Sequence, residues 1–530
     1  MTRLLLRGGY VHTPADPHAT AIAVEGGQVV WTGDDDAADH FADNATRVVE
    51  LEGRLVVPAF VDAHAHLGAT GLAARAVDLS ATRTLIEALD KLAAAEGPFV
   101  MGHGWNETEW AEHRLPTLAE VDRAVAGRPA YISRIELHSA LVSSALLARA
   151  ADIARADGYA DGRVERDAHH LARNAFFALM PGTVREEALH QALETAASLG
   201  IGMVHELGAP HLCPETDLAT IRGLAGVLPE VIGYWGELGA DGVKRAEALG
   251  CAGAAGDLCV DGAIGARTAA LHAPYSDDPQ RTGHLYLTAE QVADHLAACT
   301  DAGLQGGFHV IGDRGVDEVA AGFRLAAERL GAPALVMGRH RLEHLEMTSS
   351  EAMATFGELG VTASMQPMFD GWWGGSEGFY AERLGDRARG MNPLASLNRA
   401  GMALALGSDS PVTPLDPWGA VRAAAWHHDE SERITVRAAF NAHTRGGWRA
   451  ARLDEGGVIA IGAPASIAVF DVPGDLVVQT PDDRVAAWST DLRAGVPQLP
   501  GLHPDEDLPT CALTLVRGQV AYDREGVLQE

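Results

Sequence analysis

Lysine is almost absent from this chain. Of 530 residues only Lys91 and Lys244 are lysines, against 72 acidic residues and a net charge of −31. Nucleic-acid binding relies on clustered Lys and Arg, so this balance argues against it. It also disfavours polyanionic substrates unless the site is locally positive, and acidity on this scale otherwise serves solubility. Cysteine is scarce too. Cys213, Cys251, Cys259, Cys299 and Cys511 are odd in number and form no CxxC pair, which reads as reduced thiols of a cytosolic protein. Long apolar runs are missing. Leu4-Leu5-Leu6 meets Gly8 and Gly9 too soon for a signal-peptide core, and nothing approaches the roughly 18 apolar residues of a membrane span. The expectation is a cytoplasmic protein without membrane or nucleic-acid partners; a homodimer is left open.

What is present is ordinary for a globular protein with a large core: 47% apolar and 21% charged residues, with Gly and Pro spread along the chain. Both ends read as short strands: Arg3–Val11, Thr20–Val24 and Gln28–Thr32 at one, Ile467–Asp471 and Leu513–Tyr522 at the other. Turns fall at Pro473-Gly474 and around Gly518. The middle alternates apolar strands with alanine-rich helical stretches, the pattern of a parallel α/β fold. Eight strands stand out: Phe60–His66, Gly202–Glu206, Val231–Trp235, Leu258–Asp261, Gly306–Val310, Arg341–His344, Thr362–Gln366 and Ala403–Gly407. Eight close a (β/α)8 TIM barrel. The expected layout is therefore a small discontinuous β-sandwich domain formed by both termini (1–56 and 455–530) around a barrel at 57–454. An insertion at about 68–199 follows barrel strand 1. It takes up two further strand-like pieces, Phe99–Gly102 and Ala130–Arg134, and helices at Thr84–Glu96 and Val184–Leu199, and is a candidate lid.

The sharpest chemical signal is Asp62-Ala63-His64-Ala65-His66. Side chains alternate along a strand, so His64 and His66 point the same way and can grip one metal ion. Alone, such a pair is weak. His309, His344 and Asp409 strengthen it, because each sits at the C-terminal end of an expected barrel strand, where barrel active sites lie. Four histidines and a carboxylate at separate strand ends are costly to bury without partners. They make an N/O site for a divalent metal, zinc first, with iron or manganese as alternatives.

Several segments resemble the amidohydrolase superfamily, in the branch that includes N-substituted formamide deformylase. They are Val57–Leu67, Asp261–Ala269, His309–Arg314, Arg341–His344 and Gly407–Val412, with Gly102–Asn106 and His138–Val142 in the insertion. The resemblance implies that His64 and His66 hold the more buried metal. Asp409 would ligate it and accept a proton from its water, with His309 and His344 binding a second ion or supporting a single one. Such a water has its pKa lowered to about 7. Two-metal members bridge their ions with a carboxylated lysine four residues before the Asp-Gly pair. Here that position is Asp257, and neither lysine is placed to substitute. Asp257, Cys259, Asp261 and Glu206 are the candidate replacements, and one ion is favoured over two.

Softer candidates are Trp105, Trp110, Trp372 and Trp373 for an apolar substrate pocket, His138 as a substrate contact, and Arg267 for a substrate oxygen or carboxylate. His103, His169, His170, His427 and His428 have no companion pattern and read as structural or surface residues. The resemblance implies hydrolysis of a non-peptide C–N bond, an amide or N-substituted formamide of a small molecule, with Asp409 and His344 catalytic. The rivals are a single-metal deaminase of an aminated ring, phosphoester hydrolysis, and a non-catalytic scaffold. Deaminases often carry Glu three residues after the fifth-strand His. Gly312 stands there, followed by Asp313, which favours amide hydrolysis. All five ligand candidates are present, which argues against the scaffold.

Overall fold

The computed structural model describes residues 3–42, 46–224, 228–478, 495–526 and 528. Eight parallel strands form one sheet in sequence order: Phe60–Ala65, Ile201–Gly208, Glu230–Trp235, Gly253–Ala254, Gln305–Val310, Arg341–His344, Thr362–Met365 and Ala403–Leu406. A parallel bridge between Ala65 and Ser410 brings the last strand back to the first, helped by Asp409 N–H donating to His64 O at 2.7 Å. Gly407 makes this closure sterically possible, since a Cβ there would lie 2.5 Å from the His64 backbone nitrogen. The chain is a (β/α)8 barrel, as its apolar periodicity implies.

Helices pack the barrel through regular apolar stripes. The helix Asp313–Leu330 buries Val316, Val319, Ala320, Phe323 and Ala326, a 3–4 spacing that puts one face on the sheet. Burying a side chain such as Phe323 contributes roughly 1.5–3 kcal/mol. The helix Gly182–Ser198, read from sequence as part of the insertion, belongs with the barrel: Leu189, Ala192, Leu193 and Ala196 join the core cluster of Phe60, Ile201 and Val204.

Two expected strands need correction. The N-terminal Arg3–Val11 run is broken at Gly8-Gly9 into Arg3–Arg7 and Tyr10–Val11, which join different sheets. The fourth barrel strand is Gly253–Ala254 rather than Leu258–Asp261. Ala254 pairs with Gly306 and Cys259 with His309, so five residues face three. The surplus bulges out, with Gly256 at φ 58° against Gly208 O. Bulges of this kind re-aim side chains beside active sites, and this one carries Asp257.

The termini form a four-stranded and a five-stranded sheet, the latter mixing Leu55–Pro58 with Ile467–Asp471, Thr510–Val516 and Gln519–Asp523. Leu6, Ile22, Val56, Ile467 and Leu515 pack between them. The insertion contributes a separate six-stranded sheet between Val77 and Glu165 that includes Val100–Trp105 and Ala130–Arg134. Among the described residues, no helix is long and apolar enough to cross a membrane, and all five cysteines are free.

Candidate metal centre

His64, His66, Asp257 and Asp409 converge at the C-terminal mouth of the barrel. His64 Nε2 lies 3.5 Å from Asp257 Oδ1 and 3.2 Å from Asp409 Oδ1; His66 Nε2 lies 3.4 Å from Asp257 Oδ2 and 3.0 Å from Asp409 Oδ1. His64 Nε2, Asp257 Oδ1 and Asp409 Oδ1 are buried and have no hydrogen-bond partner. Three orphaned polar atoms aimed at one point are expensive unless something positive sits among them. Metal–ligand bonds of about 2.0–2.1 Å in a tetrahedron set donors about 3.3 Å apart, and the observed separations bracket that spacing. The residues therefore fit a divalent ion.

The electrostatics agree. Burial favours neutral imidazoles, yet Asp257 and Asp409 override it and hold His66 up at about 10 and His64 well above its usual value. Burial would likewise raise the two carboxyls, but His64 and His66 pull both below the usual carboxylate range. The cluster holds anionic charge that takes up protons when no stronger cation is present.

His64 and His344 are fixed from behind. His64 Nδ1 faces Glu343 Oε2 at 2.8 Å, which assigns a proton to that nitrogen and turns Nε2 toward Asp257 and Asp409. Arg341 holds Glu343 through Nε at 2.5 Å and donates to Ala63 O at 2.6 Å. Burial opposes the Glu343 charge, but Arg341 and His64 bring its pKa down to about 2. His344 Nδ1 pairs with Gln366 Oε1 at 2.8 Å, and burial with His309 and His64 pushes His344 down to about 3. His344 and Asp409 both adopt left-handed backbone, φ 75° and 55°, a conformation that costs energy in non-glycine residues and concentrates at functional sites. A second grouping, His64, His344 and Asp409, adjoins the first, and the His309 ring lies 4.5 Å from that of His344.

A cavity of about 200 Å³ opens from this cluster, walled by His66, Asp257, Asp409 and His309 on the barrel side. The insertion supplies the opposite lining, including His138, His169, His170 and Arg173. His138 thus reaches the site, its ring 5.2 Å from His309. A smaller aromatic lobe is lined by Phe369, Trp373, Phe379 and Tyr380.

Other sequence candidates fall elsewhere. Trp105 and Trp110 are buried in the insertion core, their indole N–H groups donating to Ile132 O and Thr82 Oγ1. Trp372 is exposed. Arg267 pairs with Asp277 at 2.6 Å and does not line the cavity. Asp261 accepts backbone N–H groups of Ala270, Ile311 and Gly312 at 2.8–2.9 Å and so organises loops instead of holding a metal. Glu206 accepts Leu67 N–H at 2.6 Å, and burial raises it to about 7. Cys259 lines the cavity. Conversely, His169 and His170, read as structural, line it, as do His211 and Arg173, which sequence reasoning missed. His427 and His428 lie against Asp370, and His103 faces Ser133 Oγ. The overlooked signal was His169-His170 with Arg173 one helical turn on, a single face of the helix Arg166–Phe177.

The amidohydrolase family model matches residues 47–522. This chain belongs to the amidohydrolase family. It is 28% identical over 512 residues to protein LONG AFTER FAR-RED 3 of Arabidopsis thaliana, covering 85% of this chain and 84% of that one. It is 23% identical over 494 residues to N-substituted formamide deformylase of Arthrobacter pascens, covering 86% and 90%. An uncharacterized metal-dependent hydrolase from Pyrococcus horikoshii OT3 shares the fold, with a TM-score of 0.72, 23% identity, and coverage of 89% of this chain and 98% of that one. Family membership and the convergent donor set make this amidohydrolase a metal-dependent hydrolase.

Proposed function

We propose that this amidohydrolase cleaves a non-peptide C–N bond, an amide or N-substituted formamide of a small molecule, with one divalent ion, zinc first, held by His64, His66, Asp257 and Asp409. The observation that carries the reading is the convergence of four donor atoms, three of them orphaned, on the wall of a cavity sized for a small substrate. Mixed imidazole and carboxylate donors at tetrahedral spacing suit zinc. The ion supplies Lewis acidity, lowering the pKa of water and polarising a carbonyl.

The chain's own groups do the rest. Asp409, ionised and beside the cavity, takes a proton from the attacking water and returns it to the leaving nitrogen. His344, its Nδ1 proton committed to Gln366, keeps Nε2 free as an acceptor. His138 stays neutral, because burial and His309 push its pKa down to about 3, and is placed to hydrogen-bond the substrate carbonyl. Where deaminases place a carboxylate, Gly312 offers only a backbone N–H, already bonded to Asp261. The relative named for formamide hydrolysis supports the same bond type.

The test is a panel of N-substituted formamides and small secondary amides beside aminated heterocycles, given to zinc-loaded protein. Release of amine and acid is expected, slowed at least about 100-fold in Asp409→Asn. Ammonia release from the heterocycles alone would overturn the reading in favour of a deaminase.

A further inference from the structure

Five arginines are buried among the described residues: Arg134, Arg173, Arg185, Arg341 and Arg383. Four of them face carboxylates, Arg134 with Glu107 and Glu136, Arg185 with Asp217, Arg341 with Glu343, and Arg383 with Asp277. Arg173, 5% exposed, has no carboxylate within 4.0 Å. Its partners are neutral: Tyr131 Oη at 3.2 Å, His211 O at 3.1 Å, Leu137 O at 2.7 Å and His169 Nε2 at 3.4 Å. Dipoles soften a buried charge, but one without a counter-ion still costs several kcal/mol. A guanidinium has five N–H donors, so four contacts leave one on Nη1.

This cation lines the same cavity as Asp409, with His170 and His211, whose rings lie 4.4 Å apart, and with Glu136, which is paired with Arg134. Burial pushes His170 down to about 4 and His211 well below its usual value. Both are therefore neutral and able to donate an N–H. A buried cation with neutral donors beside it, on the wall of a cavity that Asp409 also lines, makes a two-point site for a monoanion.

We propose that the substrate carries a carboxylate, which pairs with Arg173 beside His170 and His211 while its scissile group reaches Asp409. Resting on the C–N hydrolase reading for the second clause only, this places the anion-reading residue in the insertion. It also resolves the charge problem: the acidic surface repels polyanions, while one buried cation selects a single negative charge.

Binding of a ketone separates the proposal from turnover. Calorimetric titration of zinc-loaded wild type with 4-acetylbenzoate and with neutral 4-methylacetophenone should show the carboxylate binding at least tenfold tighter. Arg173→Gln should abolish the preference, and Arg173→Lys, which keeps the charge and loses the planar fork, should retain part of it. Equal affinities in wild type would overturn the proposal, whether or not the variants fold. So would a preference that survives Arg173→Gln, because the carboxylate would then sit on the ion.

Discussion

Two buried arginines differ in what they face: Arg173 lines the cavity, and Arg341 stands behind it. Arg341, on a barrel strand, is fully buried against Glu343 and through it positions His64. Arg173, on an insertion helix, is nearly as buried and has only neutral partners. Behind the barrel wall the arginine charge is matched within the chain and holds His64 in place, as metal positioning requires. The insertion wall keeps a charge in reserve, as ligand reading requires. A buried charge paired within the chain is scaffolding; one left unpaired beside a cavity points at what enters.

The comparison breaks hardest at Arg341. Replacing it in Arg341→Met leaves the buried Glu343 with His64 alone, at a cost of about 3–5 kcal/mol in chemical denaturation. An unchanged denaturation midpoint would show that Arg341 is not the counter-charge.

Acid comes next. Burial, with Arg173 second, holds His170 down to about 4, so the folded state binds its proton less readily than the unfolded chain. Stability is therefore intact above about pH 6.5 and falls as pH drops toward 4, by up to about 3 kcal/mol for this group. Arg173→Met relieves part of that depression and should flatten the slope in this window. A flat wild-type profile there would show that the insertion wall is already solvated.

The smallest effect sharpens the contrast most. Without ligand, Arg173→Met should change stability by no more than about 1 kcal/mol, because relief of the unpaired buried charge offsets the loss of its hydrogen bonds to neutral acceptors. A loss as large as that of Arg341→Met would make Arg173 structural and remove the contrast.

The barrel and most of the candidate site were legible in sequence because strand alternation and strand ends are local signals. His64, His66, His309, His344 and Asp409 needed only their positions in their own strands. Asp257 was legible as a position, but its aim depends on the bulge after Ala254, which exists only once Gly306–His309 pairs alongside. Arg173 and His211 escaped notice because the spacing of His169, His170 and Arg173 marks a helix face without saying what it meets, and the insertion meets the loop carrying His211 only in the folded chain. Trp105 and Arg267 misled because each found a partner that sequence does not announce: Ile132 O for the indole and Asp277 for the guanidinium.

The central claim is that His64, His66, Asp257 and Asp409 hold one divalent ion. Elemental mass spectrometry on protein purified without chelator measures it directly, for wild type and Asp257→Ala. The account predicts one ion per chain in wild type and well under one in the variant at the same free-metal concentration. No bound metal in wild type after zinc or manganese is supplied, or an undiminished ion in Asp257→Ala, would contradict it.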